Sequence, residues 1–158
     1  MAKFKFYEVD KDYVAFLQKG DGKVPNIAYS TNDKFLCGIL FQINNMSYYA
    51  PISSFNKQQK SNILIKNRAG KTLGSIRLSF MFPVPDEMLK VKDFSKEDPL
   101  YGRLLAEELD YCNRNADKII DRAKYIYEAV TQSNDPLWQK ICCNFKKLER
   151  LYDEYTPS

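Results

Sequence analysis

The stretch Phe35-Leu36-Cys37-Gly38-Ile39-Leu40-Phe41-Gln42-Ile43-Asn44-Asn45-Met46-Ser47-Tyr48-Tyr49-Ala50-Pro51 decides the fold class. A long apolar run is followed by Asn-Asn and then by a shorter aromatic run. Asparagine tolerates the left-handed backbone that a two-residue hairpin turn demands, so Phe35–Ile43 and Met46–Ala50 are predicted to pair as antiparallel strands. Proline lacks the N–H that a central ladder uses, so Pro51 is expected to end the second strand.

Reading outward toward the N-terminus, residues 3–9 alternate polar and apolar side chains, the pattern of a half-buried strand. Asp10 is placed to cap a short helix whose apolar face is Tyr13, Phe16 and Leu17, and Gly20 closes it. Residues 20–33 carry turn formers without periodicity and are expected to form a loop. On the other side of the hairpin, Asn62–Lys66 and Ser75–Phe82 are expected as strands around the turn at 67–70. Pro83 and Pro85 punctuate their end, and a short strand is expected over Met88–Val91.

The remainder reads as helices. Asp98-Pro99 is an N-cap followed by proline at the first helical position, ahead of an apolar face at Tyr101, Leu104, Leu105, Leu109 and Cys112. A second helix begins near Asn115 or Ala116, with Ile119, Ile120, Ala123, Ile126 and Val130 as its stripe. Asn134-Asp135-Pro136 breaks the chain, and a last helix is expected from about Phe145 to Glu154 behind Asn144. Together these readings predict one α+β domain over residues 1–158. Strands and one short helix occupy 1–93, and helices packed on a twisted antiparallel sheet occupy 98–155.

Composition narrows the chemistry. The chain has 158 residues and no histidine, which removes histidine acid–base pairs, Cys–His nucleophiles and Ser-His-Asp triads. Cys37, Cys112, Cys142 and Cys143 have no zinc-ligand spacing and are expected to be reduced, buried thiols. Gly70-Lys71-Thr72 lacks the first glycine of a phosphate-binding P-loop, because Ile65 stands in its place. Met1-Ala2-Lys3-Phe4-Lys5 has none of the apolar length of a secretory signal, and no apolar run reaches the roughly 20 residues of a membrane span. A cytoplasmic protein without membrane contact is expected.

Charge is unevenly spread. Residues 1–92 carry 14 Lys/Arg against 7 Asp/Glu, whereas residues 93–158 carry 10 against 13. From Lys34 through Pro85 there is no Asp or Glu, yet Lys34, Lys57, Lys60, Lys66, Arg68, Lys71 and Arg77 lie there. Such a one-sign stretch points to a polyanionic partner, against the alternative that acidic residues from elsewhere fold back over it. A two-metal centre built within this stretch is excluded for want of carboxylates, and no metal or cofactor is expected.

The hairpin pairing brings residues near 35 and near 53 to one end, so Lys34, Ser53, Ser54 and Lys57 are expected neighbours. Lysines and hydroxyls beside a basic surface suffice to cleave RNA, because the ribose 2′-hydroxyl is a nucleophile already tethered next to its phosphate. A lysine crowded by other cations loses its proton more easily and can take part in proton transfer, while Ser/Thr hydroxyls and backbone N–H groups hold non-bridging oxygens. Such a site would leave a 2′,3′-cyclic phosphate and a 5′-hydroxyl, and DNA would be inert. Lys57, Lys60, Lys66, Arg68 and Lys71 are expected to line an RNA groove. For any one of them the plain alternative is a solubilising surface charge.

Several motifs in order resemble the ToxN/AbiQ family of type III toxin–antitoxin endoribonucleases, CptN-like members included. They are Lys5-Phe6-Tyr7, Lys23-Val24-Pro25-Asn26, Lys34…Gly38-Ile39, Tyr49-Ala50-Pro51-Ile52-Ser53-Ser54, and Leu73-Gly74…Leu78-Ser79-Phe80-Met81-Phe82-Pro83. Asn115-Ala116-Asp117-Lys118-Ile119 and Cys143-Asn144-Phe145 complete the set. The resemblance implies a partly closed, strongly twisted antiparallel sheet with helices around it, related to the Kid/MazF-like toxin fold. It implies metal-independent cleavage of cellular or phage RNA, inhibition by a pseudoknot antitoxin RNA that the toxin processes, and a closed assembly in which protein and RNA alternate. The role implied is abortive infection, a phage defence, or plasmid maintenance.

Carried over by motif, the catalytic set is Lys34, Ser53, Ser54, Tyr29 and Lys57, with Ser54 the foremost. The place of a second lysine behind the serines falls on Asn56 or Lys57. The RNA-binding set is Lys3, Lys5, Lys23, Asn56, Lys60, Lys66, Arg68 and Lys71. Two other readings compete: a module that binds RNA or DNA without cutting it, and a toxin of the same fold neutralised by a protein. Intact RNA with salt-sensitive binding would mark the first, and a protein partner on copurification the second.

Overall fold

The computed structural model describes residues 4–27, 33–133 and 135–155. Its strands are β1 (Lys5–Val9), β2 (Leu36–Gly38), β3 (Gln42–Ile43), β4 (Met46–Ser53), β5 (Asn62–Lys66), β6 (Thr72–Arg77), β7 (Phe82–Pro83) and β8 (Leu89–Val91). They form one eight-stranded sheet in the order β5-β6-β4-β2-β1-β8, with β3 and β7 both paired to β4. Every described pairing is antiparallel. The helices are α1 (Lys11–Gly20), α2 (Pro99–Arg114), α3 (Ala116–Thr131), α4 (Pro136–Ile141) and α5 (Phe145–Glu154).

The hairpin forms as predicted at its turn. Asn44 and Asn45 both have positive φ, 49° and 66°, and Ile43 pairs with Met46. Two details differ from expectation. The first strand is interrupted: β2 stops at Gly38 and β3 resumes at Gln42, while across the gap Leu40 N–H donates to the Tyr48 carbonyl and Tyr48 N–H to the Phe41 carbonyl. The second strand runs through Pro51 to Ser53. The N–H of Ile52 points to β2, donating to the Phe35 carbonyl, so the nitrogen of Pro51 faces the other way. On that side β7 pairs at Tyr48–Tyr49 and β6 at Ile52–Ser53. Proline thus occupies a gap between two ladders, where no N–H is needed.

The predicted strand Ser75–Phe82 is likewise split. β6 ends at Arg77, a 3-10 turn covers Leu78–Phe80, and β7 follows. The short strand near Met88–Val91 is β8, an edge strand on β1. Helix caps follow the sequence signals. Asp10 accepts from Tyr13 N–H, Asp98 from Leu100 and Tyr101 N–H, and Asn144 from Lys147 N–H. The stretch beginning at Asp135-Pro136 holds the short helix α4, capped by Asp135 through Leu137 N–H.

One hydrophobic cluster joins sheet and helices, from Phe6, Leu36, Tyr48, Ile65 and Ile76 to Leu105, Ile119, Ile126 and Phe145. All four cysteines are buried free thiols. A buried polar triad ties α3 and α5 to β4: the hydroxyls of Tyr48 and Tyr127 both donate to Oε2 of Glu149, at 2.7 and 2.6 Å. Sharing one carboxylate satisfies two hydroxyls that water cannot reach.

Candidate active site

The end of the sheet at Ser53 gathers the candidate side chains. Leu36 pairs with Pro51, and Ile52 N–H donates to the Phe35 carbonyl. One step further along the same register sets Lys34 across from Ser53, and continuing the β1–β2 register sets Val9 on its other side. Lys34 lines a cavity of about 360 Å³ together with Glu8, Val9, Lys11, Asp33, Lys92 and Glu97.

Ser53 is half-buried, and its Oγ accepts the N–H of Phe55 at 3.1 Å. That local bond turns the chain sharply off the sheet and leaves Ser54 exposed at the bend. Gly74 makes the approach of β6 possible, since a Cβ there would overlap the Ser53 carbonyl. Ser75 pairs with Ser53 across the ladder, and its buried hydroxyl has no hydrogen-bond partner.

Arg77, two residues further, was not among the sequence candidates. Its guanidinium carbon lies 4.5 Å from the ring centre of Phe55 and 5.0 Å from that of Phe80. Burial lowers its hold on its proton, and its Nε is buried without a hydrogen-bond partner. Among the described residues no carboxylate forms an ion pair with it. The available signal was a cation between Ile76 and Leu78, inside a strand with no acidic residue nearby in sequence.

Lys34 feels this arrangement. Its pKa is lowered from the ordinary lysine value, first by burial and then by the charge of Arg77. Both effects disfavour a second cation in a poorly hydrated place. Phe55, Arg77 and Lys34 therefore form a connected group behind the exposed Ser54 turn.

Around Lys34 the alternative of acidic residues folding back over the basic stretch is met. Glu8, Asp33 and Glu97, all outside the acid-free stretch, fold back around the Lys34 cavity. Two of them are occupied by other lysines: Lys11 pairs with Asp33 and Lys92 with Glu97, each at 2.9 Å. Among the described residues no three acidic or thiol side chains converge closely enough to hold a metal ion.

The other sequence candidates fall in several places. Asn56 and Lys57 are exposed on the loop after Ser54, and Lys57 offers its carbonyl to Asn62. Lys60 is exposed on the same loop, its Nζ 5.2 Å from the ring centre of Trp138. Lys66 and Lys71 are exposed at the tip of the β5–β6 hairpin, where Gly70 takes φ 87°. Arg68, at the same tip, is held by Asp110 at 3.0 Å, which Arg114 also binds. Lys5 is exposed at the far end of β1, four residues and roughly 13 Å from Val9. Lys23 is exposed and donates to the Gln139 carbonyl. Tyr29 and Lys3 lie outside the described residues.

A buried acid that the sequence reading assigned no role lies behind the site. Glu108 of α2 is buried with Oε2 against Gly74, and burial raises its carboxyl pKa to about 8.

An antiparallel sheet whose end collects a lysine, an arginine, the half-buried Ser53 and the exposed Ser54, without a metal cradle among the described residues, defines a class of protein suited to gripping phosphates. Comparison with known proteins makes that class specific. The model of the family described as toxin ToxN of type III toxin–antitoxin systems matches residues 5–153, so the chain belongs to the ToxN toxin family. It is 28% identical to Endoribonuclease ToxN of Bacillus thuringiensis subsp. kurstaki, over 96% of this chain and 84% of the relative. It is 29% identical to Endoribonuclease ToxN of Pectobacterium atrosepticum, over 96% and 93%. With Endoribonuclease AbiQ of Lactococcus lactis subsp. lactis the identity is 25%, over 92% and 85%. A solved structure of a type III system, in which a non-coding RNA pseudoknot selectively inhibits the toxin, superposes with a TM-score of 0.91 at 26% identity over 98% of each chain.

Proposed function

We propose that this chain is a metal-independent endoribonuclease toxin of a type III toxin–antitoxin system. It cuts cellular or phage RNA in the cytoplasm, as a defence by abortive infection or a means of plasmid maintenance. The observation that carries the reading is the pairing of Lys34, across from Ser53, with the half-buried Arg77 beside the exposed Ser54 turn. Cations held without full hydration attract a phosphate more strongly than solvated ones do.

In this reading Arg77 and the Ser54 hydroxyl hold the non-bridging oxygens of the scissile phosphate, where negative charge grows as the 2′-oxygen attacks in line. Lys34, with its lowered pKa, exchanges a proton with the attacking or leaving oxygen. Ser53 shapes the turn through Phe55 N–H. Tyr29 and Lys57 complete the catalytic set, and Asn56 is the alternative to Lys57. The products are a 2′,3′-cyclic phosphate and a 5′-hydroxyl.

The same cations receive the inhibitor, a pseudoknot RNA that the toxin processes and that alternates with it in a closed assembly. Lys3, Lys5, Lys23, Asn56, Lys60, Lys66, Arg68 and Lys71 are its proposed contacts, with Arg68 giving up Asp110 to bind. The whole chain acts as one domain, and its sheet is taken to be a strongly twisted, partly closed relative of the Kid/MazF-like toxins.

Expression of Lys34→Ala and Ser54→Ala variants tests the reading. Both are expected to fold, to lose growth inhibition and to leave RNA uncut. Wild-type cutting by both would overturn it. A protein in place of RNA on copurification would overturn the assignment of the partner.

A further inference from the structure

Beyond the candidate active site, the loop that starts at Ser54 borders a groove of about 650 Å³ against α3. Lys60, Lys118, Arg122 and Tyr125 line it, with Asp121 as its acid. Tyr125 is 53% exposed, unusual for an aromatic ring on a helix that otherwise buries its apolar stripe. Lys118, Arg122 and Tyr125 follow one another at helical spacing and so share one face. Arg122 Nη2 donates to the Lys60 carbonyl at 2.7 Å, which fixes the loop to the helix.

The rings and cations are interleaved. The guanidinium carbon of Arg122 lies 4.9 Å from the Tyr125 ring centre and 5.7 Å from that of Trp138, while Lys60 Nζ lies 5.2 Å from Trp138. Tyr125 and Trp138 meet edge to face at 6.1 Å. Among the described residues none of Lys60, Lys118 and Arg122 makes an ion pair. Three cations outnumbering one acid, around an exposed ring held upright by a buried one, are what an unpaired nucleic-acid strand needs. The cations track its phosphates and the ring carries a base.

We infer that this groove is a second RNA-holding site, in which Tyr125 stacks an unpaired base while Lys60, Lys118 and Arg122 hold the adjoining phosphates. The inference rests on the RNA reading above and extends it along the strand. Ser54 and Lys60 are six residues apart, so the groove opens within roughly 20 Å of the scissile position. An unpaired stretch of a few nucleotides can span that distance. A regular duplex does not fit the role, because its bases are stacked on one another and offer no free face to Tyr125.

Fluorescence anisotropy with 5′-labelled, 2′-O-methyl oligoadenylates of about four and about twelve nucleotides tests this, since such strands bind but cannot be cut. The wild-type protein should hold the longer strand at least about tenfold more tightly. Tyr125→Ala and Lys118→Gln should each remove most of that gain, and Tyr125→Phe should keep it, because a phenyl ring stacks as a phenol ring does. Undiminished preference for the long strand in Tyr125→Ala would overturn the groove, as would equal binding of a duplex of the same length. Ordinary RNA left uncut while this length preference persists would contradict the nuclease reading alone and leave the groove standing.

Discussion

Arg77 lies close enough to Lys34 for its charge to lower the lysine pKa, second only to the effect of burial. The guanidinium can stay there because Phe55 and Phe80 flank it at 4.5 and 5.0 Å and stabilise a cation through their ring faces. A positive pair held in a half-buried place by aromatic packing has the charge to attract an anion. The arrangement has consequences for rate, pH dependence and stability.

If Arg77 holds the scissile phosphate, Arg77→Gln should cut the cleavage rate by roughly 100-fold or more, the cost of losing one charge-stabilising donor. Arg77→Lys should not rescue it fully, because an ammonium cannot present a planar fork between two rings. Single-turnover cleavage of a labelled RNA measures both. Unchanged rates would remove Arg77 from the site.

The pH profile carries a separate prediction. Removing the positive charge in Arg77→Gln removes the second cause of the lowered Lys34 pKa and leaves the first, burial. The limb of the pH–rate profile governed by Lys34 should therefore move to higher pH, and only part of the way to the ordinary lysine value. A profile with the wild-type limb position would show that Lys34 does not titrate in the reaction.

Glu108 makes stability pH-dependent in the opposite sense from an ordinary surface carboxylate. Burial raises its folded pKa to about 8 from an ordinary value of 4.5, so between those values the folded chain binds a proton that the unfolded chain has lost. Its contribution is present in full below about 4.5 and is lost as pH rises through about 8. Urea unfolding at about pH 5.5 and pH 8.5 should show a loss on the order of a few kcal/mol assignable to this group. Glu108→Gln, neutral at both values, should flatten that part of the slope.

Glu149 accepts both the Tyr48 and Tyr127 hydroxyls inside the core. Glu149→Leu leaves two buried hydroxyls without an acceptor and should cost about 2–5 kcal/mol, while Tyr127→Phe alone should cost about 1 kcal/mol. Thermal unfolding distinguishes them, and equal losses would mean that the shared acceptor is not what ties α3 and α5 to β4.

The hairpin and the helix caps were legible in the sequence because their signals are local: two asparagines for a left-handed turn, and Asp or Asn ahead of an apolar stripe. The end of β4 was not, because the place of Pro51 depends on two partner strands that leave a gap at that residue. Helix α4 carries the same Asp-Pro start as α2, yet its six residues are too few for a periodic pattern. Lys34 and Ser53 were legible as neighbours because hairpin pairing fixes them across one ladder. Arg77 and Glu108 were not, since they reach the site from β6 and α2. Their importance comes from burial, which no spacing reveals. The fold-back of Glu8, Asp33 and Glu97 onto the Lys34 cavity was hidden for the same reason.

The most direct test of the central claim is the chemistry of the ends left when the purified protein meets RNA in excess chelator. Attack by the 2′-hydroxyl at a site of Lys34, Arg77 and Ser54 predicts cutting to 2′,3′-cyclic phosphate and 5′-hydroxyl ends. It also predicts no cutting of the same strand carrying 2′-O-methyl groups throughout. RNA left intact until a divalent metal is added, or ends bearing a 5′-phosphate and a 3′-hydroxyl, would contradict it.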